Sequence, residues 1–151
     1  MGAWVNTATA TAALAALALT ARPAAAQVPD PYARELAQSL THTEAILNQD
    51  GYMRAAGPFA GGLMQQQAQN RTIMLRAGQD YRIVGVCDDR CRDLDMRLFD
   101  PNGLLIGQGV VVDATQVIHV VPTVTGDHRI ELSMPRCTGA PCWYAVNVYA
   151  R

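Results

Sequence analysis

The chain has 151 residues, half of them apolar, and a formal charge of −1 at neutral pH. This is about the length of one domain, and the balanced charge excludes a basic nucleic-acid-binding surface. The average hides an uneven distribution, because residues 1–26 contain 18 apolar residues and a single charge, that of Arg22. Residues 27–151 have the composition of an ordinary globular domain rather than of a disordered chain.

Residues 1–26 have the features of a secretory signal peptide. An apolar run over residues 8–19 ends at Arg22-Pro23, and Ala24-Ala25-Ala26 forms an A-x-A cleavage site. The run is shorter than the roughly 20 strongly apolar residues of a membrane-spanning helix. We therefore expect cleavage and no membrane span afterwards, with an uncleaved anchor as the alternative. All 12 basic residues are arginine and alanine is abundant, which indicates a GC-rich bacterial genome and a periplasmic or secreted protein.

The four cysteines lie in two closely spaced pairs, Cys87 with Cys91 and Cys137 with Cys142. An exported protein enters an oxidising compartment in which cysteines form disulfides, and the short spacings favour a bond within each pair. A four-thiolate zinc site is the alternative, although zinc ribbons usually have C-x2-C spacings. Neither pair is C-x-x-C, which argues against a redox role. The sequence therefore predicts two disulfides that each close one loop.

A helix is the first element expected after the signal peptide. It begins at Asp30-Pro31, since Asp caps well and Pro is tolerated in the first turn, and it ends at Gly51. Its apolar stripe has spacings of three and four residues, and the members are Tyr32, Leu36, Leu40, Thr43 and Leu47. The stripe packs onto the domain, contacts a neighbouring copy, or docks a partner. Residues 52–69 contain several glycines and one proline, so we predict a loop there. Residues 27–69 are thus expected to form an N-terminal helix and linker.

From Asn70 the apolar period changes to two, which is the period of a β-strand. Short alternating segments continue to the C-terminus and are separated by turns such as Asp100-Pro101-Asn102-Gly103. Roughly seven short strands with turns every 8–12 residues are typical of an antiparallel sandwich. We therefore assign residues 70–151 to a β-sandwich domain.

Several segments of this domain resemble the bacterial pre-peptidase C-terminal domain. They read LRAGQDY (75–81), DLDMRLFDPNG (93–103), VPTVTGDHRI (121–130) and WYAV (143–146). The order of D-x-D-x-x-L-x-D-P-x-G and T-x-T-G-x-x-x-I is fairly specific, and the segments CDDRC and MPRC resemble a cysteine-bearing subgroup of exported bacterial proteins. The resemblance covers residues 75–151 and implies a non-catalytic role. It also implies an eight-stranded jelly-roll-like sandwich. Together with the helix expected from the residue pattern, the predicted fold class is an all-β, antiparallel, jelly-roll-like β-sandwich of about seven to eight strands with an N-terminal helix.

Five acidic residues fall close together along the chain. They are Asp88, Asp89, Asp93, Asp95 and Asp100. Calcium takes six to eight oxygen ligands, largely from carboxylates and carbonyls, so a calcium site is one interpretation and the one cofactor considered. The other is that these carboxylates are structural, because three arginines are interleaved with them and an acid that begins a strand accepts backbone N–H groups.

Catalytic patterns are weak. The three histidines, His42, His119 and His128, belong to no metalloprotease motif, and Ser133 lies in a strand without a nucleophile elbow. We expect a protein that is not an enzyme. Exposed aromatic side chains would stack on sugar rings, and the candidates in the strands are Phe99, Trp143 and Tyr149. The other interpretation is that they belong to the core, as aromatic residues in strands more often do.

These features favour an exported, non-catalytic binding or accessory module of the cell envelope or secretome. Its expected partner is a protein or a polysaccharide of the envelope, and nucleic acid is excluded by charge. The alternative is a structural or assembly subunit that forms homo-oligomers through the N-terminal helix and a sheet edge.

Overall fold

A computed structural model of the protein describes residues 27–112 and 115–151. The predicted signal peptide lies outside the described residues. One helix, α1, precedes nine strands in the described part of the chain. Their bounds are α1 Asp30–Gln49, β1 Met53–Leu63, β2 Gln67–Leu75, β3 Tyr81–Cys87, β4 Cys91–Phe99, β5 Leu105–Gln108, β6 Val110–Val112, β7 Thr115–Val120, β8 Gly126–Cys137 and β9 Cys142–Ala150.

The strands form two antiparallel sheets. Sheet A has the order β1-β9-β3-β7-β6, and sheet B has the order β2-β8-β4-β5. The chain passes repeatedly from one sheet to the other, as in a jelly roll. This architecture confirms the all-β sandwich with an N-terminal helix. Each of the two inner faces contributes alternate residues to the core, for example Ile83 from β3 and Leu98 from β4, which are both fully buried.

The loop expected over residues 52–69 is wrong. β1 and β2 occupy most of this segment, β1 pairs with β9 and β2 pairs with β8. The glycines in β1 make room for rings, because a Cβ on Gly61 would lie 2.8 Å from Tyr144 Oη and one on Gly62 would lie 2.8 Å from Trp143 Cζ3. Pro58 is tolerated since β1 is an edge strand. The sandwich therefore begins at Met53 rather than at residue 70.

α1 forms a third layer on the outer face of sheet A. Its buried leucines are Leu36, Leu40 and Leu47, and they pack against residues of β3 and β9 such as Val84 and Tyr149. This confirms the interpretation that the stripe packs onto the sandwich and leaves the stripe itself unavailable for docking a partner. Burial of three leucines stabilises the folded chain by about 2 kcal/mol each. No helix in residues 27–112 and 115–151 is long and apolar enough to cross a membrane.

Candidate functional site

Both predicted disulfides are formed, Cys87–Cys91 and Cys137–Cys142. They lie side by side, because Cys91 and Cys137 are direct partners in the pairing of β4 with β8. The two loops are also hydrogen-bonded, since the backbone N–H and the hydroxyl of Thr138 both donate to the Arg90 carbonyl at 2.9 Å. We call this part of the molecule, residues 87–91 and 137–142, the disulfide end.

Asp88 is the buried centre of the disulfide end. Its side chain has no exposed surface, and its carboxylate accepts hydrogen bonds from three groups. The Arg90 guanidinium donates at 2.7 Å, the Arg90 backbone N–H at 3.1 Å and the Trp143 backbone N–H at 2.8 Å. A buried carboxylate needs such partners, because an unpaired charge is strongly disfavoured away from water. Asp88 therefore holds the first disulfide loop against β9.

The start of α1 is attached to the same end. The Arg90 guanidinium lies 3.9 Å from the centre of the Tyr32 ring, and that ring stacks on Trp143 at 6.5 Å. Such cation–π contacts stabilise partly desolvated sites by about 1 kcal/mol. Burial, followed by the charge of Asp89, raises the pKa of Glu35 on the same helix. Stacking thus fixes the helix to the disulfide end, although the carboxylates of Asp89 and Asp88 both repel that of Glu35.

The other carboxylates of the predicted calcium site do not share interaction partners. Asp100 accepts the backbone N–H groups of Leu104 at 2.8 Å and Asn102 at 2.9 Å, and these bonds are the main reason why its pKa is lowered. Asp93 pairs with Arg136 at 3.3 Å. Asp95 and Asp89 are exposed.

Within the described residues no group of three or more His, Cys, Asp or Glu side chains is arranged to hold a metal ion. The hydrogen bonds of Asp88 and Asp100 agree with structural carboxylates, and the calcium interpretation stays a prediction.

The histidines lie in different parts of the molecule. His128 is fully buried in the core, and its Nδ1 lies 2.9 Å from the Gly126 carbonyl oxygen. Ser133 is five residues away on the same regular strand, so the two side chains point to opposite faces of sheet B. His42 is exposed on α1. The Ser133 and His128 pair considered in the sequence is therefore not brought together.

His119 belongs to a cluster that the sequence did not indicate. Asp80 accepts a hydrogen bond from the Tyr52 hydroxyl at 2.8 Å, pairs with Arg151 at 3.0 Å and lies 3.0 Å from His119 Nε2. The Tyr52 ring is also covered by the guanidinium groups of Arg82 and Arg151, at 5.1 and 4.6 Å from its centre. The members come from four distant parts of the chain, so no local pattern could reveal the cluster. It joins the end of α1 to the C-terminus.

Two of the three candidate aromatic residues belong to the core, as the alternative interpretation expects. Trp143 is 9% exposed and Tyr149 is fully buried, because both lie beneath α1. Phe99 is partly exposed, but its ring is covered by the Arg129 guanidinium at 3.9 Å. None of these three rings is therefore free to stack on a sugar.

α1 packs against strands of sheet A, so the described elements leave the outer face of sheet B open. Its side chains form two rows across the strands. One row contains Thr72, Arg129, Phe99 and Leu105, and the next contains Asn70, Glu131, Arg97 and Gln108. Glu131 pairs with both Arg97 and Arg129, and Arg129 also donates to Asn70 Oδ1 at 3.2 Å. These side chains are therefore held in place by a network of ion pairs and hydrogen bonds.

A depression of about 310 Å³ lies on this face beside the second row. Its lining includes Asp95, Arg97, Gln108, Gly109 and Ser133. The pairing of strands places Asp95 opposite Ser133 and Arg97 opposite Gln108. We call these five residues the polar hollow. It offers one carboxylate acceptor, one guanidinium donor, and an amide and a hydroxyl that both donate and accept.

The fold and this face define the protein as an antiparallel β-sandwich with one face covered by a helix and one open polar face. No protein-family model matches the chain, and no curated protein matches it. The similarity to pre-peptidase C-terminal domains therefore rests on the sequence motifs, and it stays a prediction.

Proposed function

We propose that the protein is an exported, non-catalytic binding module that takes a polysaccharide of the cell envelope at the polar hollow. The observation that carries the proposal is the asymmetry of the sandwich. The outer face of sheet A is covered by α1, whereas that of sheet B is open, polar and contains the depression. A disulfide-bonded protein of this size fits the periplasm or the medium, where such polymers occur.

The chemistry of the polar hollow suits sugar hydroxyl groups, which both donate and accept hydrogen bonds. Asp95 can accept from a hydroxyl, Arg97 can donate to one, and Gln108 and Ser133 can do either. The ion pair with Glu131 holds Arg97 in place. Such pre-organisation supports affinity, because less side-chain freedom is lost when the ligand binds.

A non-catalytic role agrees with the distribution of reactive groups among the described residues. His42 lies on α1, His128 in the core and His119 beside Asp80. None of them lines the polar hollow. The hollow therefore contains groups that bind and no histidine to act as a general base near neutral pH.

The test is binding of residues 27–151 to purified envelope polysaccharides by isothermal titration calorimetry and co-sedimentation. We expect Asp95→Asn and Gln108→Ala to weaken binding by about tenfold or more. The first substitution replaces a charged acceptor by a neutral amide, and the second removes the hydrogen bonds of the glutamine amide. Asp127→Asn is the matched control, since Asp127 is an exposed carboxylate at the far end of β8, and it should bind as the wild type does. A wild type that binds no polysaccharide, or that binds a protein of the envelope instead, would contradict the proposal.

A further inference from the structure

Four exposed apolar side chains are concentrated in one short segment. Leu104 is 65% exposed, Leu105 42%, Val110 61% and Val111 69%. The segment 104–112 reads LLIGQGVVV and contains no charged residue and no proline. Isolated apolar side chains on a surface are ordinary, but a continuous apolar segment marks a contact site.

This segment forms both sheet edges on one side of the sandwich. β5 is the last strand of sheet B, and β6 is the last strand of sheet A. An edge strand has a row of backbone N–H and C=O groups without partners, so it is a template for pairing with another chain. We call residues 104–112 the apolar edge.

The edges on the opposite side carry the usual protections. β1 contains Pro58 and Arg54, and its pairing with β9 is interrupted by two irregularities. On β2 the Arg71 guanidinium reaches across to sheet A, where it donates to the Ala60 carbonyl and to the Tyr144 hydroxyl, each at 3.4 Å. Proline, bulges and a charged side chain turned toward the core all oppose edge-to-edge pairing. β6, at the apolar edge, contains no proline and no charged residue, and its pairing with β7 is regular. β5 beside it has one irregularity in its pairing with β4, so β6 is the strand that is open to pairing.

We infer that the apolar edge is the interface of a homodimer in which β6 pairs antiparallel with β6 of a second copy. An antiparallel contact between identical strands around a two-fold axis is complementary to itself. An uncharged edge brings no like charges together in such a contact, and valine lies beside valine. A strongly acidic or basic partner would find no opposite charge on this segment, which favours the second copy as the occupant.

The dimer has a consequence for binding that rests on the proposed function. The two-fold axis that relates two antiparallel neighbouring strands is perpendicular to their sheet, so both copies present sheet B on the same side. Gln108 and Gly109 of the polar hollow belong to the segment that reaches the interface. The dimer therefore presents two polar hollows to one polymer, and a polymer that bridges them is held more tightly than by one copy.

The test is analytical ultracentrifugation of residues 27–151 with intact disulfides, from low to high micromolar concentration and without ligand. We expect a reversible dimer for the wild type and a dissociation constant weakened about tenfold or more by Val111→Lys, which places like charges across the axis. Met74→Lys is the matched control, because Met74 is 63% exposed on the opposite edge, and it should dimerise as the wild type does.

Circular dichroism and urea unfolding establish that each variant is folded. A folded Val111→Lys protein that dimerises normally, or a wild type that stays monomeric at every concentration, would overturn the inference. If Val111→Lys does not fold, Val111→Thr serves instead, with weaker dimerisation expected and an unchanged dimer again overturning the inference. Because no ligand is present, failure of the dimer is separate from failure of polysaccharide binding.

Discussion

Replacing Asp88 by alanine should destabilise the protein more than any other substitution of a single acidic residue at the disulfide end. The carboxylate has no exposed surface, and it accepts from the Arg90 guanidinium and from two backbone N–H groups. Removing it leaves the Trp143 N–H buried without a partner and the Arg90 charge unpaired.

The magnitude follows from these two losses. Breaking a buried ion pair by removing one partner costs about 3–5 kcal/mol. The Arg90 side chain keeps 25% of its exposure and can be solvated in part, so we expect a value near the lower limit, about 3 kcal/mol. Asp88→Asn keeps an acceptor for the Trp143 N–H and should cost about half as much, roughly 1.5 kcal/mol.

The assay is urea unfolding of the oxidised protein, followed by tryptophan fluorescence and analysed by linear extrapolation. Asp89→Ala is the control, because its side chain is exposed beside Asp88 in the same loop, and it should change the free energy of unfolding by about 0.5 kcal/mol or less. If Asp88→Ala is no more destabilising than Asp89→Ala, the assignment of Asp88 as the buried centre of this end is wrong.

Three further predictions concern the second disulfide, the contact of α1 with the first disulfide loop, and the acidic residues between Asp88 and Asp100. Replacing Cys137 and Cys142 together by serine should lower the free energy of unfolding by about 2 kcal/mol, which is the chain-entropy value for so small a loop. The loss should be larger if the fully buried Cys142 site tolerates the hydroxyl poorly. Urea unfolding measures this change, and an unchanged midpoint would contradict the prediction. Because burial and Asp89 raise the pKa of Glu35, the native state holds this proton more tightly than the unfolded chain, so ionisation destabilises the fold above the ordinary carboxyl pKa near 4. Glu35→Gln should therefore stabilise the protein at neutral pH, by about 0.5 kcal/mol or less for a largely solvated group. It should have no effect at about pH 3, where Glu35 is protonated in both the folded and the unfolded protein. Equal effects at the two pH values would refute the reasoning. Finally, the melting temperature should be the same in calcium and in EDTA, since Asp88 and Asp100 already use their oxygens for protein hydrogen bonds; a calcium-dependent increase would instead support a calcium site.

Much of the fold could be predicted because it depends on short-range patterns. The period of two in β4 and β8 reflects one inner and one outer face. The α1 stripe has helical spacing, and the cysteine pairing follows from spacings of four and five residues. Each of these signals is contained in a few neighbouring residues.

β1 could not be predicted, for a physical reason. Glycines that usually break the chain are needed in β1 because Trp143 and Tyr144 pack against it, and those rings are about 80 positions away in the sequence. The same limit applies to Asp88 and Asp89, which are adjacent acids in the same loop. Only the approach of β9 makes one of them a buried acceptor while the other remains in water.

The sequence by itself determined the elements that residues close along the chain can specify. These are the helix, the alternating strands from residue 70 onward, the tight turn at Asp100-Pro101-Asn102-Gly103 and the two disulfide loops. Tertiary structure decided which faces are covered and which are open. The polar hollow takes its residues from β4, β5 and β8 and from Gly109, and the apolar edge lies at the border of two sheets. Strand order and register between distant segments place these residues together, and such long-range pairing leaves no pattern within any one segment.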